Sequence, residues 1–236
     1  MAIKKQISFD PKVPLAKENA AFAVKLASMA YKTRSEIEAG LDDLGFKDEQ
    51  AAFVRSRLCS CFIIRCEDVT AIAFKGTTNW REHLNNANVW PEVTSHGRVH
   101  SGLLYTMERL SPLLQQLIGA DVLSGRKILL TGHSRGGALA QIFASSLVVG
   151  GHMPHSVWAF GSPMVGDHTF ASLLTNVPVA IYRNGNDPIS LFPPSISPNS
   201  AIAKWILSFK VVYIPVILIR YVGIVISNYF SPVAPS

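Results

Sequence analysis

The sequence predicts an α/β fold with a mostly parallel central sheet flanked by helices. Short apolar runs at 60–66, 69–76, 127–131, 156–160 and 177–183 alternate with stretches of helical periodicity, the pattern of strands joined through crossover helices. A glycine-rich turn at 132–137 leads directly from one of those runs into an Ala-rich helix. The length of 236 residues, 48% of them hydrophobic, suffices for one sizeable core.

In chain order, Glu18 to Tyr31 carries apolar residues at helical spacing and is expected to be an amphipathic helix. A polar stretch follows. The runs SCFIIRC and VTAIAFKG, separated by Glu67–Asp68, then predict a β-hairpin. Ser101 to Leu117 again reads as a helix, and Lys127–Thr131 as a buried strand. A helix is expected over Gly137–Val148, strands at 156–160 and 177–183, and a short helix at 168–174 between them. No internal repeat or low-complexity linker interrupts this order.

The composition excludes disorder, collagen and a small disulfide scaffold. With 22 Lys+Arg against 16 Asp+Glu the net charge is +6, which favours anionic surfaces. Basic stripes interleaved with aromatics are missing, so nucleic acid is not an expected partner. Cys59, Cys61 and Cys66 match neither a CxxC zinc pair nor a distributed disulfide framework, and three reduced structural thiols are expected. The N-terminus has two lysines but no apolar stretch behind them, so no Sec signal is read and a cytoplasmic or membrane-associated location is expected.

Gly132-His133-Ser134-Arg135-Gly136 lies between the expected strand and helix, the context that makes a GxSxG string a nucleophile elbow. The turn must be tight enough to lift the Ser134 hydroxyl above the sheet edge. Residues two before and two after it therefore need to be nearly free of side chain. The helix that follows turns its positive end toward an oxyanion.

GHSRGGALA resembles the elbow of the class 3 (fungal-type) lipases, a branch of the α/β-hydrolases. Four further segments are similar to that family in the same order: Ala73-Phe74-Lys75-Gly76-Thr77 followed by Trp80, Val99-His100-Ser101-Gly102, Phe160-Gly161-Ser162-Pro163 with Val165-Gly166-Asp167, and Tyr182-Arg183-Asn184-Gly185-Asn186-Asp187-Pro188. Together they cover roughly residues 20 to 195. The resemblance implies an α/β-hydrolase-like domain over 1–200 with a divergent hydrophobic tail over 201–236. It implies Ser134 as nucleophile, Asp187 as support for the general base, and Thr77 and Arg135 as backbone N–H donors of the oxyanion hole. Only the amide of Arg135 is required for that role. Residues 80–90 occupy the place of the family's lid. Neither a metal nor an organic cofactor is implied; the implied partner is a lipid or ester substrate.

One feature departs from the family, whose catalytic histidine follows the aspartate. The seven histidines of this sequence, at 83, 96, 100, 133, 152, 155 and 168, all precede Asp187. His100, His133 and His168 are the candidates for a replacement base. After Asp187 come 49 residues (236 − 187) without Asp, Glu or His and with three cations, Lys204, Lys210 and Arg220. The apolar run within them, 205–230, admits three readings: a membrane-associated helix, weakened by Arg220, Pro215 and Gly223; two buried strands; or a tail with no evolved structure. The function expected is therefore a serine carboxylic-ester hydrolase acting through an acyl-enzyme. The alternative is a catalytically impaired lipase fold that binds lipid or a membrane surface through its tail.

Overall fold

A computed structural model describes residues 9–46, 51–66, 68–77 and 91–183. Two helices come first, α1 (Lys17–Met29) and α2 (Arg34–Asp43). They are followed by β1 (Ala51–Arg55), β2 (Ser60–Cys66), β3 (Val69–Phe74), β4 (Pro91–Thr94) and β5 (Gly97–His100). The rest is α3 (Ser101–Leu123), β6 (Lys127–His133), α4 (Arg135–Val149), β7 (Ser156–Phe160), α5 (His168–Leu173) and β8 (Val179–Tyr182).

Among the described residues the main sheet has the order β1-β2-β3-β6-β7-β8, and β4-β5 form a separate hairpin. The first three strands are antiparallel neighbours, with the expected hairpin closing at Cys66↔Val69. From β3 onward every pairing is parallel. Because β3, β6, β7 and β8 are laid down in one direction, right-handed crossovers all land on the same face. That face carries α3, α4 and α5, packed on Ile63, Ile72, Phe74, Leu130 and Val157. The opposite face needs cover from outside the crossovers. α1 and α2 supply it, burying Phe22, Leu26, Ile37 and Leu41 against Phe62, Ile64, Leu129 and Trp158. The alternation of successive strand residues between the two faces is the period of two that a sheet buried on both sides requires.

Several details depart from the sequence reading. α1 ends at Met29, so Tyr31 lies beyond it. The polar stretch after it contains α2, whose Thr33 and Glu36 form a reciprocal capping box, and the five-residue edge strand β1. α3 runs on to Leu123, and α4 begins at Arg135 immediately after the serine. Cys59 and Cys61 are buried free thiols, and Cys66 is half-buried. Among the described residues no helix is long and apolar enough to cross a membrane. The tail over 201–236 lies outside them.

Polar groups pin the layers together. Asn19 in α1 accepts from the Asp10 amide at 2.7 Å and donates to the Asp10 and Val13 carbonyls at 2.8 and 2.9 Å, closing the N-terminal segment over the sheet. Arg65 Nε donates to the buried Asp121 carboxylate at 2.9 Å, and Arg126 Nε lies 3.5 Å from the same group. This buried acid is thus held between two cations at the edge remote from Ser134, tying α3 to the β2–β3 hairpin.

Candidate active site at the carboxyl edge of the sheet

Parallel register places the motifs side by side. Phe74 of β3 pairs with Gly132 of β6, His133 with Phe160 of β7, and Phe160 with Tyr182 of β8. The chain segments leaving β3, β6, β7 and β8 therefore emerge along one edge. That is where an open α/β sheet presents its ligand crevice.

Ser134 is the residue between β6 and α4. Its backbone has φ 55° and ψ −129°, the only positive φ of a non-glycine among the described residues. Such a conformation costs about 1–3 kcal/mol and persists only where its surroundings impose it. The surroundings here are backbone. The Ser134 amide donates to the Phe160 carbonyl at 2.8 Å, while its carbonyl accepts from Gly137 N–H at 3.0 Å. A Cβ on Gly132 would run into the Gly136 backbone and stand 2.7 Å from Gly137 N. One on Gly136 would run into the carbonyl of Phe74. The glycines at these positions are a steric necessity of strand, turn and helix crossing at van der Waals contact.

Ser134 is 7% exposed and sits at the amino end of α4, whose dipole favours negative charge there. Gly76 passes close by: a Cβ on it would meet the Tyr31 hydroxyl and stand 2.5 Å from the His133 carbonyl oxygen. Thr77 follows directly, half-buried, at the end of the described part of that segment. Arg135 is the first residue of α4, and its side chain turns away from the serine into the protein. Nη1 donates to the Leu58 carbonyl at 2.7 Å and Nη2 to Thr106 Oγ1 at 2.6 Å. The structure thus brings Ser134, Arg135 and the segment carrying Thr77 together. Asp187 and the segment 80–90 lie outside the described residues.

The replacement bases considered from sequence scatter. His133 is exposed beside the elbow, with Nδ1 2.9 Å from the Tyr31 hydroxyl and the two rings in edge contact. Burial pushes the Tyr31 phenol up to about 12, so this neighbour stays neutral. Tyr31 was not singled out by the sequence, because it meets the elbow across 102 residues of chain. His168 begins α5 and is exposed. His100 caps the start of α3 in the interior, its amide bound to the Val165 carbonyl at 2.9 Å and its Nδ1 without a partner among the described residues. No described histidine is hydrogen-bonded to Ser134.

Burial, reinforced by the nearby Arg135 charge, pushes the His100 imidazole down to about 4. The folded-state value lies below the unfolded one near 6.5, so between those limits the unfolded chain binds more protons. Stability is then full above pH 6.5 and falls as pH drops toward 4, by on the order of 3 kcal/mol. Urea unfolding at pH 7 and pH 4.5 should show this slope in the wild type and a shallower one in His100→Asn. Equal slopes would remove His100 as its source.

Comparisons with known proteins agree with this geometry. A family model described as lipase (class 3) matches residues 71–196. The secreted mono- and diacylglycerol lipase 1 of Fusarium solani is 30% identical over 132 residues, which are 53% of this chain and 39% of that protein, so the chain spans well under half of that relative. Lipase II from Rhizopus niveus superposes with a TM-score of 0.60 at 22% identity, covering 75% of this chain and 74% of that one. The mono- and diacylglycerol lipase from Aspergillus oryzae gives 0.60 at 17% identity, covering 75% and 73%. The likeness to these structures establishes the α/β-hydrolase fold expected from sequence, and the matched family model, over more than half of the residues, establishes kinship: the chain belongs to the class 3 lipase family.

Proposed function

We propose that this chain is a serine carboxylic-ester hydrolase that cleaves acylglycerol-type or phospholipid esters through an acyl-enzyme. The observation that carries the reading is the strained Ser134 at the tip of the elbow, because that backbone has no structural purpose a glycine would not serve better. In the proposed reaction a general base takes the Ser134 hydroxyl proton as Oγ attacks the ester carbonyl, and the alkoxide leaves as the alcohol with that proton. Water then releases the acid. The oxyanion formed at each step lies between the backbone N–H groups of Arg135 and Thr77, where two donors together supply several kcal/mol. Asp187 orients the base and supports its positive charge. No step calls for a metal or organic cofactor.

The experiment is covalent capture. Incubation of the full chain with a p-nitrophenyl alkylphosphonate, followed by peptide mass spectrometry, should place one phosphonyl group on Ser134. Labelling elsewhere, or none, overturns the hydrolase reading.

A second reading is favoured by one observation: within these 236 residues no histidine follows Asp187. On it, the chain binds lipid without turnover, through the basic apolar segment 201–236, and is membrane-associated. It predicts no adduct at Ser134, together with vesicle co-sedimentation that survives Ser134→Ala and is lost when residues 203–236 are removed.

A further inference from the structure

Arg135 offers more than an amide. Its guanidinium is partly buried and donates to two neutral oxygens, a costly way to fill space that a Leu or Met could fill without desolvating a charge. What an apolar side chain could not supply is direction. The Leu58 carbonyl belongs to a tight turn in which the Ser56 amide donates to the Cys59 carbonyl at 2.8 Å, and Ser56 Oγ accepts from the Leu58 and Cys59 amides at 3.2 and 3.0 Å. The chain continues from this turn into Ser60, whose carbonyl accepts from the Lys75 amide at 2.9 Å. The Cys59 thiol also faces the Lys75 carbonyl, at 3.9 Å. Lys75 is followed by Gly76 and Thr77. On its other arm, Arg135 reaches Thr106 Oγ1, which is itself anchored on the Gly102 carbonyl at 2.8 Å in the first turn of α3.

We propose that the Arg135 side chain is a positioning group that sets the spacing of the oxyanion hole, by tying the first turn of α4 through the 56–60 turn to the segment that carries Thr77. The inference rests on the reading of the Arg135 and Thr77 amides as the two donors. Those donors sit on different segments, one opening α4 and the other following β3. Besides backbone packing at Gly136, the guanidinium is a directional link between them, and the link to α3 keeps it from swinging.

The test compares full-length wild type with Arg135→Met, which keeps the amide and the approximate volume while removing both hydrogen bonds. Amide exchange at 75–77 and 135–137 is expected to quicken by about 10-fold or more, with exchange across 156–160 unchanged. On a soluble p-nitrophenyl ester, kcat is expected to fall about 10- to 100-fold while KM stays within about twofold. Thr106→Val, which breaks one arm, should give the same local pattern at smaller amplitude, and it stands in if the Met variant does not fold. Unchanged exchange at 75–77, or exchange quickened equally throughout the sheet, overturns the proposal, as does a wild-type kcat in Arg135→Met. Absence of Ser134-dependent hydrolysis in the wild type sinks the hydrolase reading instead, and the exchange pattern alone then decides whether the tie exists.

Discussion

Ser134→Ala is expected to lower the hydrolysis of p-nitrophenyl butyrate by about 10⁴-fold, leaving a residual rate above the buffer reaction. Removing a triad nucleophile typically costs several orders of magnitude, and what remains comes from binding and the oxyanion hole. Stability separates this loss from unfolding. Alanine keeps the Cβ and therefore keeps the strain at φ 55°, so its melting temperature should match the wild type. Ser134→Gly is equally inactive but relieves the strain. It should be more stable than Ser134→Ala by about 1 kcal/mol, even after glycine's extra unfolded-state entropy. Calorimetry of the three proteins measures this directly. A wild-type rate in Ser134→Ala removes the serine from catalysis, and a glycine variant no more stable than the alanine variant removes the claim that strain is stored there.

The elbow was readable from sequence because its physics is local. Gly132, Ser134, Gly136 and Gly137 meet one another within six residues, and the steric demand is written in the residues that satisfy it. The β2–β3 hairpin was readable for the same reason, its pairing closing at Cys66↔Val69 across two residues. What escaped was of two kinds. α2 buries only Ile37 and Leu41, and β1 only Val54, too thin an apolar signal to stand out from a polar stretch. The Thr33–Glu36 capping box could have marked where α2 starts. The second kind is long-range. Arg135 meets Leu58 and Thr106 at separations of 77 and 29 residues, and Tyr31 meets His133 across 102. Such partners are set by which crossover lands where, and an elbow string holds no trace of them. The sequence reading of Arg135, which asked only for its amide, therefore had no view of where the guanidinium goes. Asp187 and the 80–90 segment, both named from the family resemblance, fall outside the described residues, and their roles rest on the motif they belong to.

Gly136→Ala should be among the most damaging single-methyl changes in the fold. The added Cβ would run into the Phe74 carbonyl, 2.9 Å from its carbon and 3.1 Å from Gly76 N. All of these are backbone atoms. Phe74 cannot retreat, because it is in register with Gly132 of β6 and Cys61 of β2, and the adjacent Lys75 amide is bound to Ser60. The clash therefore resolves by pushing the start of α4 off the sheet, which carries Ser134 and the Arg135 amide with it. Overpacking of this kind costs about 3 kcal/mol, roughly 10 °C in melting temperature for a chain of this size. A shift near 1 Å between nucleophile and oxyanion donors costs a further factor of about 10² in kcat in the molecules that do fold. Gly119 supplies the control. It lies inside α3, where a Cβ would meet nothing within 4 Å, so Gly119→Ala should stabilise the protein by about 0.5–1 kcal/mol through helix propensity alone and leave the rate untouched. Measuring both variants by calorimetry and ester hydrolysis sets the same methyl group against a crowded crossing and an open helix face. If Gly136→Ala melts within 2–3 °C of the wild type, roughly 1 kcal/mol, the crossing is looser than these contacts require, and the elbow's rigidity must come from the bonds Ser134 makes with Phe160 and Gly137.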